Sequence, residues 1–403
     1  MLQQVEILND KSLYSQCRAI LANAFELAQK HDRYLALLAI IRWEKQLLQT
    51  STFSEKEITH YSEVAHPFKK EVLKKLERAI DYRYLSFQNF AWMKKEFSGK
   101  TGKAIQDQLQ LMDVPLLQDE SLALDFNTRS IFFQMNTLRC RLLNDQQGMF
   151  EFGKKSFDLY ENNPEKIADN HISYLSVFSI LIGLAYQGRK YRECLEIVAK
   201  CKASIQLHPP SGATQTIAFN NIYLTELAVL IDTGSFEELG KRVPFIETKL
   251  EELTVKIRMT ERVLFYINFV EYYMGIGDCV TAIDWLDKIL SEKSRPFTEE
   301  TYIKAKVLEI ICHHELENHE LVESLVQSTY RFLNKKQKLH PSEAVILRLF
   351  RNDLPKAIGE KAEKAVFHEA QEALQLTMED ASNERNNDFL FVLAWMKALA
   401  NNS

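Results

Sequence analysis

One short turn pattern returns at nearly equal intervals along this chain, and it constrains the fold more than any other feature. Its clearest copy lies in Tyr272–Leu290, YYMGIGDCVTAIDWLDKIL. The residues before Gly275 are apolar at nearly every turn, and those after Gly277 place apolar side chains at every third or fourth position. Both patterns are typical of α-helices. This copy therefore predicts two helices joined by a tight turn.

The same turn recurs upstream in DTGSFEEL (Asp232–Leu239) and QGRKYREC (Gln187–Cys194). Weaker copies end at Phe152, further upstream, and at Ser324, downstream. The five copies have their helix-crossing positions at 152, 194, 239, 282 and 324, which lie 42, 45, 43 and 42 residues apart. A near-constant period of this kind indicates stacked units of supersecondary structure.

Four prolines recur at about the same interval or at twice that interval. The low content of glycine and proline also favours helix. Pro164, Pro209, Pro296 and Pro341 lie 45, 87 and 45 residues apart, the middle interval being two periods. Since proline does not continue a helix interior, each one marks a joint between units. Only 12 glycines and 9 prolines occur among 403 residues, of which 46% are hydrophobic. We therefore predict an all-α fold, an α/α superhelix of helical hairpins.

The clearest copy resembles the tetratricopeptide repeat, a helical hairpin with aromatic residues on its first helix, Gly-Asp at its turn and a small residue where the helices cross. The residues that carry the resemblance are Tyr266, Phe269, Tyr273, Gly277, Asp278 and Ala282. Val270 and Cys279 stand where the family has a glycine and an aromatic residue. The period of about 43 also exceeds the 34 residues of the family. We expect a tetratricopeptide-like array over about residues 126–350.

The resemblance implies that the array binds a peptide or protein in a concave groove lined by its first helices. Carried over from each turn, the groove positions are Arg141, Asn144, Ser179, Tyr186, Asn221, Asn268, Glu271, Lys306 and His313. Because these residues carry both signs of charge, they suggest a partner of mixed charge. The paired Lys and Asn with which the family clamps a C-terminal carboxylate are not found at the groove positions.

We expect three regions, residues 1–120, 121–350 and 351–403. The first contains an incomplete first repeat, whose turn KSLYSQC carries Tyr14 and Cys17. Since a solenoid normally begins with a polar capping helix, we expect upstream residues or another chain to cover this end.

The C-terminal region is expected to close the array. It has an amphipathic helical pattern over about residues 355–378, a polar break at 380–387 and a final apolar segment, Phe389–Ala400. We predict that this last helix docks back as a cap, with Trp395 and Met396 in the core.

The segment Pro67–Lys103 is the one strongly basic part of a chain whose formal net charge is −5. It has ten Lys or Arg against four acids, a net charge of +6, interleaved with aromatic residues: Tyr82, Tyr84, Phe87, Phe90 and Trp92. Rings beside cations can stack on nucleic-acid bases. The interpretation that we favour packs the rings in the core and leaves the lysines in water. The basic helix is also suited to meet an acidic partner.

Motifs for catalysis or cofactor binding are incomplete. Gly275 and Gly277 follow a helix and lack the third glycine of a dinucleotide loop, and Gly99-Lys-Thr101 lacks the first glycine of a phosphate loop. Cys312-His313-His314 has neither HExxH nor CxxC spacing, and adjacent helical side chains point about 100° apart. No GxSxG elbow or paired cysteine nucleophile is found. We expect no enzymatic activity, no cofactor and no metal.

Six scattered cysteines without CxxC spacing predict reduced, buried thiols. No run of about 18 apolar residues predicts a membrane span, and no secretory signal is visible, so we expect a cytoplasmic protein. Our first hypothesis is a non-enzymatic scaffold for protein–protein interaction. The alternatives are a peptide-sensing regulator with an N-terminal effector region, and nucleic-acid binding through residues 67–103.

Overall fold

The computed structural model describes residues 1–50, 55–95, 102–294, 296–336, 339–379 and 389–401, and within these residues all regular structure is helical. The prediction of an all-α fold is confirmed. None of the described helices is long and apolar enough to cross a membrane. The incomplete phosphate-loop motif at 99–101 and the polar break at 380–387 lie outside the described residues.

The chain forms two compact units, Met1–Lys166 and Ile167–Ser403. The first unit consists of helical hairpins packed on one long helix. Its helices are α1 (Leu2–Asp10), α2 (Tyr14–Lys30), α3 (Tyr34–Thr50), α4 (Glu55–His60), α5 (His66–Lys95), α6 (Gly102–Leu111), α7 (Pro115–Gln118), α8 (Phe126–Leu142) and α9 (Gln146–Glu161). A short α10 (Pro164–Asp169) spans the boundary between the units.

Packing in the first unit follows the predicted hairpins. The predicted pairs α1–α2 and α8–α9 pack together. In addition, α2 packs on α3, and α5 packs on both α3 and α8. Val5 of α1 is fully buried beside Cys17 of α2, so the short first helix predicted from the N-terminal turn forms a hairpin. The start of α8 is fixed by a capping box between Asp125 and Thr128.

The second unit is a series of hairpins whose first helices pack side by side. Its helices are α11 (His171–Gln187), α12 (Tyr191–Leu207), α13 (Ala213–Asp232), α14 (Phe236–Gly240), α15 (Val243–Glu252), α16 (Met259–Gly275), α17 (Cys279–Leu290), α18 (Glu299–Glu315), α19 (His319–Lys336), α20 (Pro341–Arg348), α21 (Glu360–Glu379) and α22 (Leu390–Asn401). The hairpins are α11–α12, α13 with α14 and α15, α16–α17, and α18–α19. Since α11 packs on α13, α13 on α16 and α16 on α18, the stacking predicted from the period is present within this unit.

The hairpins share one way of closing their turns. One residue after the first helix takes a left-handed backbone conformation, and these residues are Ser12, Asp32, Asn144, Arg189, Gly234, Gly277 and Glu317. The next amide then donates a hydrogen bond to the carbonyl five residues back, as from Asp278 to Tyr273 at 2.8 Å. The last five of these turns lie at 144, 189, 234, 277 and 317, that is 45, 45, 43 and 40 residues apart.

The two glycines of the clearest copy have different structural roles. Gly277 has a φ of 80°, which favours a residue without Cβ. Gly275, the last residue of α16, lies against the ring of Phe236 in α14, where an added Cβ would come within 2.2 Å of the ring atom Cε1. The first glycine therefore permits close packing between neighbouring hairpins, and the second permits the turn.

The C-terminal helices close the second unit as predicted. Leu347 of α20, Leu374 of α21 and Val392 of α22 belong to the same hydrophobic core as Leu308 of α18. Met396 is fully buried. Trp395 stacks on Phe350 and donates its indole N–H to Glu315 at 2.8 Å. The expected core position of Met396 is confirmed, while Trp395 is partly buried and packs against the core. The helix α21 begins at Glu360, later than the pattern predicts.

The expected regions 1–120, 121–350 and 351–403 stay predictions. By its internal contacts the chain divides at 166/167, with α8 packed on α5 in the first unit and α20–α22 in the core of the second. One feature differs from expectation. The core interpretation of the rings in α5 holds for Tyr82 but is wrong for Tyr84, Phe87 and Phe90, which are exposed. The long helix uses one side to pack on its neighbours, so rings on the other side remain in solvent.

Candidate binding face

The four first helices of the second unit form a layer, and we call the surface that they share the first-helix face. It comprises α11, α13, α16 and α18, and each helix packs on the next. The face lies within the second unit, where the expected groove positions from Ser179 onward are found. Because successive hairpins repeat, equivalent positions of these helices come side by side.

Polar side chains connect each helix of this layer to the next. Asn221 of α13 donates its amide to the hydroxyl of Ser179 in α11. Asn220 of α13 donates to Glu261 of α16 at 2.9 Å. Glu271 of α16 and Lys304 of α18 form an ion pair of 2.7 Å. Each of the four helices is therefore joined to the next by at least one polar contact between side chains.

A second polar cluster joins α11, α12 and α13 at Asp232. Its carboxylate accepts hydrogen bonds from the hydroxyl groups of Tyr186 at 2.7 Å and of Tyr191 at 3.2 Å. Burial raises the pKa of Asp232, and the two hydroxyl donors act in the opposite direction because they favour the charged form. Burial beside this carboxylate raises the pKa of Tyr191 to about 12 and that of Tyr186 further. Both phenols therefore stay protonated as donors at neutral pH.

A cleft of about 340 Å³ opens on the first-helix face. Residues of α11, α13, α16, α18 and α22 line it. Among them are Tyr186, Asp232, Leu264, Asn268, Glu271, Thr301, Lys304 and Phe391. Leu264 is 44% exposed, so an apolar side chain stands beside the polar groups. Asn268 donates its side-chain amide N–H to the carbonyl of Leu264 at 2.7 Å, and its side-chain oxygen is a hydrogen-bond acceptor.

Five of the nine predicted groove residues lie on this face. Tyr186, Asn268 and Glu271 line the same cleft, and Ser179 and Asn221 bond to each other nearby in the layer. Glu271 is only 6% exposed, however, so its expected role as an exposed recognition residue is wrong. A carboxylate on a tightly packed helix interface is stable only when it is paired, and Lys304 supplies the charge.

Two predicted residues of α18 lie elsewhere. Lys304, rather than Lys306, lines the cleft, and Lys306 pairs with Glu309 one turn further along its own helix at 2.7 Å. Side chains two residues apart point about 200° apart around a helix, so only one of the two lysines can face the cleft. His313 lies at the helix end, where its ring contacts the side chain of Asn318 in the turn.

The remaining two predicted residues belong to the first unit. Arg141 is exposed near the end of α8. Asn144 lies beyond that helix, with a φ of 57° in the turn to α9. The structure thus places Asn144 in the turn rather than on a first helix, and its role in binding stays a prediction. Asparagine adopts the left-handed conformation more readily than most residues, which suits it to that place.

Asp232, Lys304 and Phe391 are the functional candidates that the sequence pattern missed. Asp232 opens the turn DTGSF and was therefore read as part of the turn. Lys304 lies two residues from the predicted Lys306. Phe391 lies in the C-terminal helix, far from the repeats in sequence, and no periodic signal connects it to them.

A larger cleft of about 920 Å³ lies at the other end of α18, between that helix, α19, α21 and α22. His314, Arg351 and Glu363 are among its lining residues. The ring of His314 contacts Phe350, Phe367 and Trp395, and this burial lowers the pKa of His314. Across the described residues no three His, Cys, Asp or Glu side chains come together as ligands for a metal ion.

No protein-family model, curated protein or solved structure matches this chain.

Proposed function

We propose that this protein is a non-enzymatic scaffold that binds a peptide or a segment of another protein on the first-helix face. The observation that carries the proposal is that four successive first helices, α11, α13, α16 and α18, line one cleft of mixed polar and apolar character. A short extended or helical segment that lies across such a layer contacts one helix after another, and this is how arrays of helical hairpins read their ligands.

The cleft suggests the chemistry of the bound segment. Within the cleft lining Lys304 pairs with Glu271, whereas Asp232 and the side-chain oxygen of Asn268 contribute acceptor oxygens. These groups are suited to N–H donors or a cationic side chain. The exposed Leu264 offers an apolar contact beside them. A segment that carries both a donor and an apolar side chain fits this combination.

We also propose that the hairpins are divergent tetratricopeptide-like repeats that act in the cytoplasm. Support for the first point comes from the recurring left-handed turn and from Asp278, which caps α17 through the amide of Thr281 at 3.0 Å. Support for the second comes from the cysteines, all six of which are buried free thiols, as is usual in a reducing compartment.

The proposal is tested by truncating side chains of the cleft that the fold does not need. We expect Leu264→Ala with Asn268→Ala to weaken capture of the natural partner at least tenfold while the helical circular dichroism is unchanged. Glu271 is unsuitable for this test because its removal unpairs Lys304 in the packed layer. Val255→Ala is the control, since this side chain is fully exposed elsewhere in the second unit. Capture that survives the double substitution would exclude the cleft as the binding site.

A further inference from the structure

One face of the long helix α5 carries an apolar row that the described residues of the first unit leave exposed. Leu73, Ile80, Tyr84 and Phe87 are 46%, 57%, 61% and 65% exposed. With Glu77 they follow a spacing of four, three, four and three residues, and at about 100° per residue they lie on one side of the helix. This spacing is the pattern of helices that pair along a seam. We call these five residues the α5 seam.

The seam is distinct from the side of α5 that holds the first unit together. Val72, Ala79, Tyr82 and Leu85 are buried in the cores that α5 shares with its neighbours. A helix with a single apolar stripe normally turns that stripe to its own core. α5 has two stripes, and the described part of the unit buries one of them.

The charges along the seam are distributed unequally between its two ends. Lys69, Lys70 and Lys74 stand beside Leu73 in the N-terminal half, whereas the C-terminal half presents the rings of Tyr84 and Phe87. A second helix aligned in parallel would place lysines against lysines and Glu77 against its own copy. An antiparallel copy places the lysines of each helix beside the rings of the other, where cations are attracted to ring faces.

We propose that the α5 seam is the contact between two copies of this chain, with their α5 helices packed antiparallel. A two-fold interface requires a patch that is complementary to itself, and the unequal ends of the seam meet that requirement. In the register that fits best, Leu73 packs on Tyr84 of the second copy and Glu77 lies beside Ile80 of the second copy. Lys74 then faces Asp81 of the second copy, and the two-fold symmetry of the dimer repeats this contact with the two copies exchanged.

This pairing does not depend on the proposed function of the second unit. It uses side chains of the first unit alone, and the variants that test it leave the first-helix face unchanged. Its consequence for binding is that a dimer carries two first-helix faces, which raises the apparent affinity for a partner with two binding segments.

The direct test is the mass of the full chain in solution, measured by sedimentation equilibrium over a range of concentrations. We expect a dimer for the unaltered chain. Ile80→Asp should raise the dimer dissociation constant by roughly 100-fold or more, because each dimer loses two buried isoleucine side chains and gains two buried carboxylates. Leu35→Asp is the matched control, since Leu35 is an exposed apolar residue of α3 in the same unit. It should leave the dimer intact.

A charge exchange tests the orientation. Lys74→Glu should weaken the dimer because it places two carboxylates together, and Lys74→Glu with Asp81→Lys should restore it because the attraction returns with reversed signs. Asp81 lies 3.6 Å from Arg78 in its own helix, so Asp81→Lys alone serves as the control for loss of that contact. A double variant as weak as Lys74→Glu would overturn the antiparallel register.

Chemical cross-linking tests the proximity of the two α5 helices independently, without a substitution that destabilises the dimer. Ile80→Cys should join two chains in high yield with a short bismaleimide, against a low background because the native cysteines are buried. Leu35→Cys should not. A chain that is monomeric at every concentration, or a dimer unaffected by Ile80→Asp, overturns the proposal. Retardation of an RNA or DNA oligonucleotide by a monomer, lost in Ile80→Asp, would assign the seam to nucleic acid and overturn it as well.

Discussion

Glu271 of α16 and Lys304 of α18 form an ion pair of 2.7 Å between two successive first helices, with side chains only 7% and 21% exposed. Removing one member of such a pair leaves the other charge without its partner in a packed interface. We therefore expect Glu271→Ala to lower the free energy of unfolding by about 3 kcal/mol, the low end for a buried pair because Lys304 retains some contact with water. Urea denaturation measures this change.

An exposed ion pair of the same unit provides the control for Glu271→Ala. Glu237 and Lys241 lie 3.3 Å apart, with side chains 92% and 72% exposed. We expect Glu237→Ala to be nearly neutral, since water and salt screen such pairs. Equal effects of the two substitutions would show that Glu271 contributes no more than a surface charge.

Gly275 lets α16 and α14 approach each other. A Cβ at this position would come within 2.2 Å of the Phe236 ring, so Gly275→Ala forces the ring or a helix to move. We expect a loss of about 1–3 kcal/mol in the free energy of unfolding, as for other overpacked sites. Adding Phe236→Leu should recover part of this loss, which a double-mutant cycle measures.

Gly183 is the matched control for this close approach. It lies within α11, and an added Cβ there meets no atom within 4 Å. Gly183→Ala is therefore expected to stabilise the protein by about 0.5–1 kcal/mol, the helix-propensity difference between the two residues. Destabilisation at both glycines would point to a general intolerance of these helices rather than to the contact with Phe236.

Arg189 closes the α11–α12 turn with a φ of 53°, although glycine occupies the neighbouring position 188. A left-handed conformation costs an L-residue roughly 1 kcal/mol relative to glycine. Arg189→Gly should thus raise the melting temperature, whereas Gly277→Ala, at the equivalent turn, should lower it. Calorimetry on both variants decides whether the two turns are equivalent: changes of the same sign would contradict the shared geometry.

His314 makes the stability of the second unit depend on pH. Burial among Phe350, Phe367 and Trp395 lowers its pKa below the usual 6.5, with Glu315 and Glu363 acting in the opposite direction and His319 in the same one. The unfolded chain takes up a proton near pH 6.5 while the folded chain resists it, so this residue lowers the free energy of unfolding as pH falls below that value.

Replacing His314 by Gln should flatten this dependence. Between about pH 7 and pH 5 the free energy of unfolding of the variant should fall less than that of the unaltered chain. Denaturant titrations at several pH values measure both slopes. A variant that loses stability as steeply as the parent would show that other groups set the acid response.

The fold was largely predictable because its signals are local and repeated. Gly234 and Gly277 mark turns that need a left-handed residue, and the prolines mark the joints. The equivalent residues Asn144, Arg189 and Glu317 gave little or no signal, because their conformation is imposed by the hairpin rather than preferred by the side chain. Hence a few strong copies of the turn pattern were enough to predict the repeat period. They were not enough to predict which residue occupies the left-handed position of each turn.

The candidate site was predicted less well, because it depends on which side of each helix faces which neighbour. Of the predicted groove residues, Tyr186 and Asn268 line the cleft, whereas Lys304 lines it and the predicted Lys306 does not. A shift of two residues reverses the side of the helix, and the sequence period does not resolve it. The exposure of Tyr84 and Phe87 was missed for the same reason, since composition does not tell which stripe of α5 its unit buries.

The central claim is that the first-helix face of the second unit binds another polypeptide. Photo-cross-linking in the native cell tests it most directly, with a light-activated amino acid placed at Leu264 in the cleft or at Val255 away from it. The account predicts one discrete cross-linked product from position 264 that is absent from position 255 and lost when Asn268 is also changed to alanine. The same products from both positions, or none from either, would contradict it.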